Sequence, residues 1–492
     1  MQQLEKMNDI HHIAIKECRE SLRNGSLKLF SLLMVFFLIC AISIGFINYR
    51  HLVVEKKVAS ADVRQQWLNQ GVKNPHGAGH FGMVTFKPIE PLNSLEKGMN
   101  NYFGQWIYLE THNRNDAEKK PVKDLSSLTR FGEFTAAFLV QFIAPLFIIL
   151  LCYSSVSSEK ENNTLRLVLS QQLSMNVFII GKCLGNIYKL VLIFLPVFVL
   201  TLVGIVISTG GDTDALLVHI FMCMSYLLYL LAFLFISIGV SALSNSSKQA
   251  LIVLFSFWII SCVFVPRFIS SLSESIHPTP SSFDLKTTYE QSQGNKYVYG
   301  YKGLSSFKAT YTQVEQRLMK EYNVSNPDSL PVDVFGFAIE ETEEEGQRLF
   351  EKMYGELNIK FLGQDKVHRV ASIISPLAAI RFLSMGLSHS DIEEQIHFSE
   401  QSERYRRMIM KTLNMDLAYH SKIKKYTIRK GDGTEKYARS TDLWQTIPDF
   451  NYTPLSLSQV LKNHRSDLAI LTIWLLVSIL FTIQTAKKLV VS

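Results

Sequence analysis

Six stretches of the chain are apolar for long enough to cross a bilayer, with polar sequence between them. They run over residues 29–47, 134–153, 187–207, 215–240, 250–265 and 468–486. A helix needs about 20 mostly apolar residues to span the hydrocarbon core, and none of these runs contains Asp, Glu or Arg. Lys189 sits in the first turn of the third run, where its ammonium can snorkel to the interface. The fifth run is short and stops at Pro266. The first is too long, and too poor in a small-residue cleavage site, for a removable signal, so it reads as a retained anchor.

Between the runs the periodicity changes. Leu4, Met7, Ile10, Ala14, Cys18 and Leu22 recur at spacings of three and four. That predicts an amphipathic helix within residues 1–28, lying along the membrane interface. The first insertion covers residues 48–133, a connecting segment covers 157–186, and the larger insertion covers 267–467. The larger one starts irregularly around Pro278 and Pro280, then shows helical patterning over 307–322, 332–362, 367–386 and 391–419. Alternating Tyr426, Ile428 and Tyr437 around Gly431-Asp432-Gly433 predict a hairpin over 424–438. The acidic run 340–345 reads as a solvated helix face rather than a metal site. The expected fold is an α-helical polytopic membrane protein with six transmembrane helices. A mainly helical α+β extracytoplasmic domain is expected to form from the two insertions.

Composition narrows the function classes. Of 492 residues, 47% are hydrophobic and 19% charged, a modest deficit against roughly a quarter charged in soluble chains, and it is the bunching of the apolar residues into membrane-length runs that excludes a purely cytosolic enzyme. The 32 Phe and 19 Tyr exclude intrinsic disorder. The net charge of +7 comes without an aromatic-interleaved basic stripe, so nucleic acid is not an expected partner. Lys6, Lys16, Arg19, Arg23 and Lys28 precede the first run, and Lys160, Arg166 and Lys182 follow the second. Lys248 lies between the fourth and fifth, and Lys487 and Lys488 close the sixth. Short basic flanks stay in the cytoplasm, so both termini are expected inside and both insertions outside, in a bacterial inner membrane. Cys40, Cys152, Cys223 and Cys262 fall in apolar runs, Cys18 and Cys183 lie beside them, and neither insertion has a cysteine. The insertions must therefore be held by packed cores rather than disulfides.

Catalytic signatures are missing. No H-E-x-x-H, G-x-S-x-G or P-loop motif occurs, and Gly181-Lys182-Cys183 lacks the loop and the hydroxyl of a phosphate site. No catalytic residue, cofactor or metal is therefore assigned to this chain. Gln141, His219 and Ser155 are polar within the runs, but no charged relay for an ion-coupled transporter is visible. Pro145 and Pro196 are expected to kink the second and third spans.

The most informative polar segment follows the second span: Ser158-Glu159-Lys160-Glu161-Asn162-Asn163-Thr164-Leu165-Arg166-Leu167-Val168-Leu169-Ser170, running on to Gly181-Lys182. It resembles the E-x-E-x-G-T-L…L-L-S-x-P…G-K stretch of type-2 ABC exporter permeases. The matching residues are Glu159, Glu161, Thr164, Leu165, Leu169, Ser170, Gly181 and Lys182, while Asn163 replaces a Gly and Gln172 a Pro. Asn tolerates the left-handed backbone such a Gly adopts. Losing the Pro weakens the expected bend.

Further matches cover most of the chain. They include residues 74–82 with His76 and His80, the Phe86-Lys87-Pro88 segment, and Leu109-Glu110-Thr111-His112. In the larger insertion they are Ser375-Pro376-Leu377-Ala378, residues 398–406 with Glu400, Arg404 and Tyr405, and residues 447–452. These are similar to a permease subfamily with a domain of unknown function inserted between the last two spans. That subfamily is grouped with gliding-motility and copper-enzyme-maturation permeases.

The resemblance implies a coupling helix docking on a separate ABC ATPase that binds ATP and Mg. It also implies a dimer with a second permease copy or paralogue, with spans two and five at the interface. An envelope protein is a further expected partner on the outer face, and membrane lipid surrounds the spans. The alternative is a membrane-anchored sensor or scaffold whose ectodomain binds an envelope partner. His76, His80 and His112, with Glu110, have the chemistry of metal ligands, but Pro75, Gly77, Gly79 and Gly82 favour a turn-rich loop braced by hydrogen bonds.

Overall fold

In the computed structural model the described residues are 2–118, 134–171, 173–281, 284, 287, 303–423, 427–429 and 435–489. Among the described residues six helices are long and apolar enough to cross a membrane. They are Ser26–Leu68 (α2), the segmented Ala136–Glu161, Met175–Thr209 (α8), Thr213–Leu243 (α9), the segmented Ser247–Ile276, and Arg465–Lys487 (α18). The α9 helix is the most buried and packs along α18 and α8. A Cβ at Gly239 would sit 2.6 Å from the Phe481 ring, so α9 and α18 approach closely.

The two segmented spans share a device. The second consists of Ala136–Phe138 (α4), a π-helical turn over Leu139–Ile143 and Ala144–Cys152 (α5), ending in the short Ser157–Glu161 (α6). The fifth consists of Ser247–Ile259 (α10), a π-helical turn over Ile260–Phe264 and Val265–Ile276 (α11). Each π turn runs directly into the segment carrying Pro145 or Pro266. The wider turn removes the backbone hydrogen bond that proline cannot make. The fifth span therefore does not stop at Pro266 as its pattern predicts. It carries on for ten residues to Ile276. Pro196 lies inside α8 without breaking it.

The first span also outruns its sequence limits. The α2 helix has 43 residues, about 65 Å at 1.5 Å per residue, and leaves the bundle to enter a second, polar unit. Its end carries Trp67, buried edge-on against Trp444 at 6.0 Å, with Trp67 Nε1 donating to the Trp444 carbonyl at 3.0 Å. The second unit draws on both insertions. From the first come Pro75–Phe81 (α3) and the antiparallel strands Met83–Phe86 (β1) and Trp106–Leu109 (β2). From the second come Gly303–Glu321 (α12), Val334–Ala371 (α13), Pro376–Leu387 (α14) and Ile392–His420 (α15). The strands Thr427–Arg429 (β3) and Glu435–Tyr437 (β4) follow, then Thr441–Trp444 (α16) and Leu457–Asn463 (α17). One core joins the two insertions, with Trp67, Ile107 and Leu109 against Phe398, Ile409, Leu413 and Trp444.

Among the described residues this unit is almost wholly helical, with two short ladders in place of a sheet layer. The β3–β4 ladder is the predicted hairpin; its Gly431-Asp432-Gly433 turn and Tyr426 lie outside the described residues. The helix predicted over 367–386 is divided differently. The α13 helix runs unbroken to Ala371, and the break falls at Ser375, where Pro376 opens α14 as its first residue. The acidic run is not a uniformly solvated face. Glu340 and Glu343 are buried against α15, while Glu344 and Glu345 are exposed, as helical period requires.

The α14 helix plugs the end of the bundle. Leu377, Ala379, Ile380, Leu383 and Leu387 are buried in the same core as the spans. Beside it Glu96 of the first insertion accepts from Gln141 Nε2 at 2.9 Å and Ser384 Oγ at 3.0 Å, and Tyr226 Oη lies 2.6 Å from Ser384 Oγ. Burial pushes the Glu96 carboxyl up. An ion-pair cluster fixes the start of α18. Arg369 bonds Asp365 at 2.6 Å, Asp467 at 2.9 Å and Glu393 at 3.0 Å, and His464 bonds Asp391 at 2.9 Å and Asp467 at 3.0 Å. Burial opposes the charged imidazole, but the hydrogen bonds it donates to Asp391 and Asp467 outweigh it and raise its pKa to about 9.

The close packing of α2 gives one prediction. A Cβ at Gly45 would lie 1.9 Å from the Ser94 carbonyl oxygen, whereas one at Gly355 meets nothing within 4 Å. Gly45→Ala is expected to destabilise the protein by about 2 kcal/mol, and Gly355→Ala to be neutral or stabilising by up to roughly 1 kcal/mol. Thermal unfolding in detergent distinguishes them. A second prediction concerns pH. Because the His464 pKa is raised on folding, its contribution is complete below about 6.5 and lost as pH rises through about 9. The melting temperature should fall across that window, and His464→Gln should remove most of that fall.

Candidate functional site: the segment after the second span

The α6 helix and the following Thr164–Ser170 (α7) form the link between the second and third spans. Asn163 joins them at φ 55°, the left-handed geometry expected of a residue standing where Gly is usual. Gln172 lies outside the described residues.

Glu159 is the anchor of this link, and it is buried. Its carboxylate accepts from Lys182 Nζ at 2.9 Å and Lys16 Nζ at 3.0 Å, and from the Thr164 hydroxyl. Lys182 also bonds Glu17 at 2.8 Å, and Lys189 bonds the other Glu17 oxygen at 3.0 Å. Ser155 Oγ donates to Glu17 at 3.0 Å, and Asn186 bridges Ser155 and Lys189 at 3.1 Å each. Glu17, Glu159, Lys182 and Lys189 are all buried, so two carboxylates face two ammonium groups with little water between them. Burial alone would raise the Glu17 carboxyl, but Lys182 and Lys189 outweigh it and hold its pKa at about 2.

The network explains the position of Gln2–Arg23 (α1), which packs on the start of α8. A Cβ at Gly181 would be 2.7 Å from Ile13, and one at Gly185 would be 2.7 Å from Glu17. Two glycines four apart let the helix backbones close in far enough for the ion pairs. The buried face of α1 is centred on Ala14, Glu17 and Ser21, while Met7 and Leu22 are exposed. The apolar stripe read from spacing is thus rotated, because the acid at position 17 has cations waiting on α8. Gly25, at φ 79°, turns the chain from α1 into α2.

The link is tied to the rest of the bundle by further bonds. The amides of Val156 and Ser157 both donate to Ser241 Oγ of α9 at 3.0 Å. Lys160 Nζ caps the α9 carbonyl of Ala242 at 2.5 Å and reaches that of Ser244 at 3.1 Å. Ser247 Oγ of α10 donates to Glu161 at 2.6 Å. A short, partly buried segment is therefore wired to α1, α8, α9 and α10. The outer side of α7 presents Arg166 and Leu167, the latter 66% exposed.

Residues 11–488 match the family model described as ABC-2 family transporter protein. The chain belongs to that family. It is a multi-pass membrane protein and a permease subunit of an ABC transporter, and membership generally implies an ABC ATPase partner. No curated protein matches the sequence.

Within this ABC-2 permease the residues singled out by sequence divide. Glu159 and Leu165 are buried, Thr164 is half-buried, and Glu161 and Ser170 face outward. Leu169 lies on α7. In the second unit Pro376 is buried, Glu400 and Arg404 lie on the exposed face of α15, and Tyr405 Oη donates to the Pro448 carbonyl at 2.7 Å. Glu110 accepts from Asn115 at 3.2 Å and Asn113 at 3.3 Å.

The stretch around His76 is helix rather than turn-rich loop. Asn74 caps α3 by accepting the His76 amide, Pro75 is its first residue, and Gly79 is required because a Cβ there would meet Thr111 at 2.4 Å. His76 and His80 therefore do share a face, and the turn after β2 brings His112 to them. The ring centroids are 4.8, 5.2 and 5.3 Å apart. Burial, and then the neighbouring His112, push His76 down to about 4 and lower His80. Sequence reading gave Glu17 and Leu167 no role and placed Glu343 on a solvated face, and Lys189, expected to snorkel to the interface, is instead buried and paired with Glu17. The signal for Glu17 and Lys189 was a carboxylate inside an otherwise apolar helix stripe and a lysine inside a span.

Breaking the network tests it. Lys182→Met leaves Glu17 and Glu159 short of a cation and is expected to destabilise the folded protein by about 3 kcal/mol. Glu159→Gln added to Lys182→Met should recover part of that loss in denaturant titrations.

Proposed function

We propose that this permease works in an ATP-driven exporter or envelope machine, with ATP and Mg bound by a separate ATPase subunit whose motion enters through α6 and α7. The observation supporting this reading is the wiring of that segment. Glu159 reaches α1 and α8, Ser157 and Lys160 reach α9, and Glu161 reaches α10, while Arg166 and Leu167 are left facing outward. A push on α7 is thereby carried to four helices at once.

In this reading α1 and the link face the cytoplasm of a bacterium, with the basic flanks favouring that side, and the second unit stands outside. A second permease copy or paralogue meets spans two and five, whose π turns at Pro145 and Pro266 suit helices that bend. The assignment to the subfamily with an inserted domain rests on the motif resemblance around His76, Pro376 and Tyr405. The outer unit receives or passes on cargo, or contacts an envelope protein.

The test separates docking from coupling. Leu167→Glu should lose the co-purifying ATPase from mild detergent, because a charge replaces the exposed apolar contact. Glu161→Arg should keep the ATPase bound but uncouple its hydrolysis from transport. If wild-type chain purifies without any ATPase, or both variants behave as wild type, the ATP-driven reading fails.

A further inference from the structure

The polar unit holds a cluster that the transport reading does not use. His76 and His80 stand one turn apart on α3, and His112 follows β2 at φ 66°, a left-handed turn. One nitrogen from each ring lies within 4.8 Å of the others. Two of the rings are held from behind. The Thr111 hydroxyl bonds His80 Nδ1 at 3.0 Å, and Glu343 Oε1 bonds His112 Nδ1 at 2.5 Å and the His112 amide at 2.8 Å. Glu343 is itself buried and held by Arg406 at 3.4 Å, which in turn pairs with Glu403 at 2.9 Å. The third ring, His76, has its Nδ1 buried with no hydrogen bond.

We propose that His76, His80 and His112 bind a divalent transition metal, with Zn²⁺ the probe species, through three imidazoles and one solvent-derived ligand. The chemistry of the donor set is specific. Imidazole nitrogens suit Zn²⁺ and its neighbours and are poor ligands for Mg²⁺ or Ca²⁺. A carboxylate and a hydroxyl fixing Nδ1 are the outer partners that metal-bound imidazoles carry, so coordination at those two rings falls to Nε2. Tetrahedral binding at about 2.0–2.1 Å places donors roughly 3.4 Å apart, so the rings need to close by about an ångström. His80 is exposed and can make that movement, and its exposure admits the fourth ligand from water.

The site would also join the two insertions. Its three ligands come from the first insertion, and its supporting Glu343 comes from α13 of the second. Metal would therefore tighten the contact between α3 and α13. This holds whether or not the chain works with an ATPase.

The experiment uses the full-length protein in detergent, stripped with EDTA and titrated with Zn²⁺ against a chromophoric chelator. One Zn²⁺ per chain at micromolar affinity or tighter is expected, with a rise in melting temperature on loading. His80→Ala and His76→Ala should each abolish stoichiometric binding, and Glu343→Gln should weaken it about 10–100-fold. His80→Ala removes an exposed side chain and its bond to Thr111, so its metal-free melt should fall only slightly below that of the stripped wild type, while its rise on Zn²⁺ loading is lost, which separates loss of ligand from loss of fold. Co²⁺ loading should show the intense absorption of tetrahedral coordination, absent in His80→Ala. Absence of stoichiometric binding, or binding unchanged in His76→Ala and His80→Ala, overturns the proposal.

Discussion

The arrangement of this protein depends on one buried exchange of charge, between Glu17 and Glu159 on one side and Lys182 and Lys189 on the other. Each ion alone would be very costly to bury, and each becomes tolerable only when the other three are in place. The apolar surfaces of α1 and α8 do not set their register, because hydrophobic contact is non-directional, and α6 has no apolar side chain at all. The ion pairs do, since an ammonium must lie near 3 Å from its carboxylate. The glycines at 181 and 185 follow from the same constraint, as a side chain at either position would hold α1 away. An N-terminal helix, the link after the second span and the start of the third span are thus one rigid piece.

At the far end of the bundle the joining principle is different. The α2 helix extends beyond bilayer length to carry Trp67 into the core of the polar unit, and α14 returns to fill the bundle with Leu377, Ile380 and Leu383. Glu96 and the Arg369–His464 cluster satisfy the polar groups trapped where the two units meet. Spans one, five and six therefore continue into the polar unit or connect directly to its cluster. A link bonded to four helices and a polar unit continuous with three spans form one contiguous run of packed elements.

The positions of the spans were legible because length and apolarity are local properties, and each of the six runs falls on a membrane-length helix, the second starting two residues ahead of it. The family was legible too, from a short ordered set of residues after the second span. Errors came where a residue's meaning depends on a distant partner. Pro266 reads as a terminator until the π turn before it is known. The glycines around His76 read as a loop, although Gly79 is there to admit Thr111 and Met410. Glu340 and Glu343 sit in an acidic run that looks solvated, yet Asn414 and Arg406 on α15 wait for them.

By itself the sequence determined a helical membrane protein, its six apolar runs of membrane-spanning length, and the family it belongs to. All of these follow from composition, period and short-range motif, which need no knowledge of what packs against what. Only the tertiary structure decided that Glu159 is an internal strut while Glu161 and Leu167 face outward. It alone assembled both insertions around Trp67 and Trp444 and brought His112 to His76 and His80. Those outcomes rest on contacts between residues tens to hundreds of positions apart. Charge pairing, close backbone approach and burial act through space, and a linear pattern carries them only as unmatched halves.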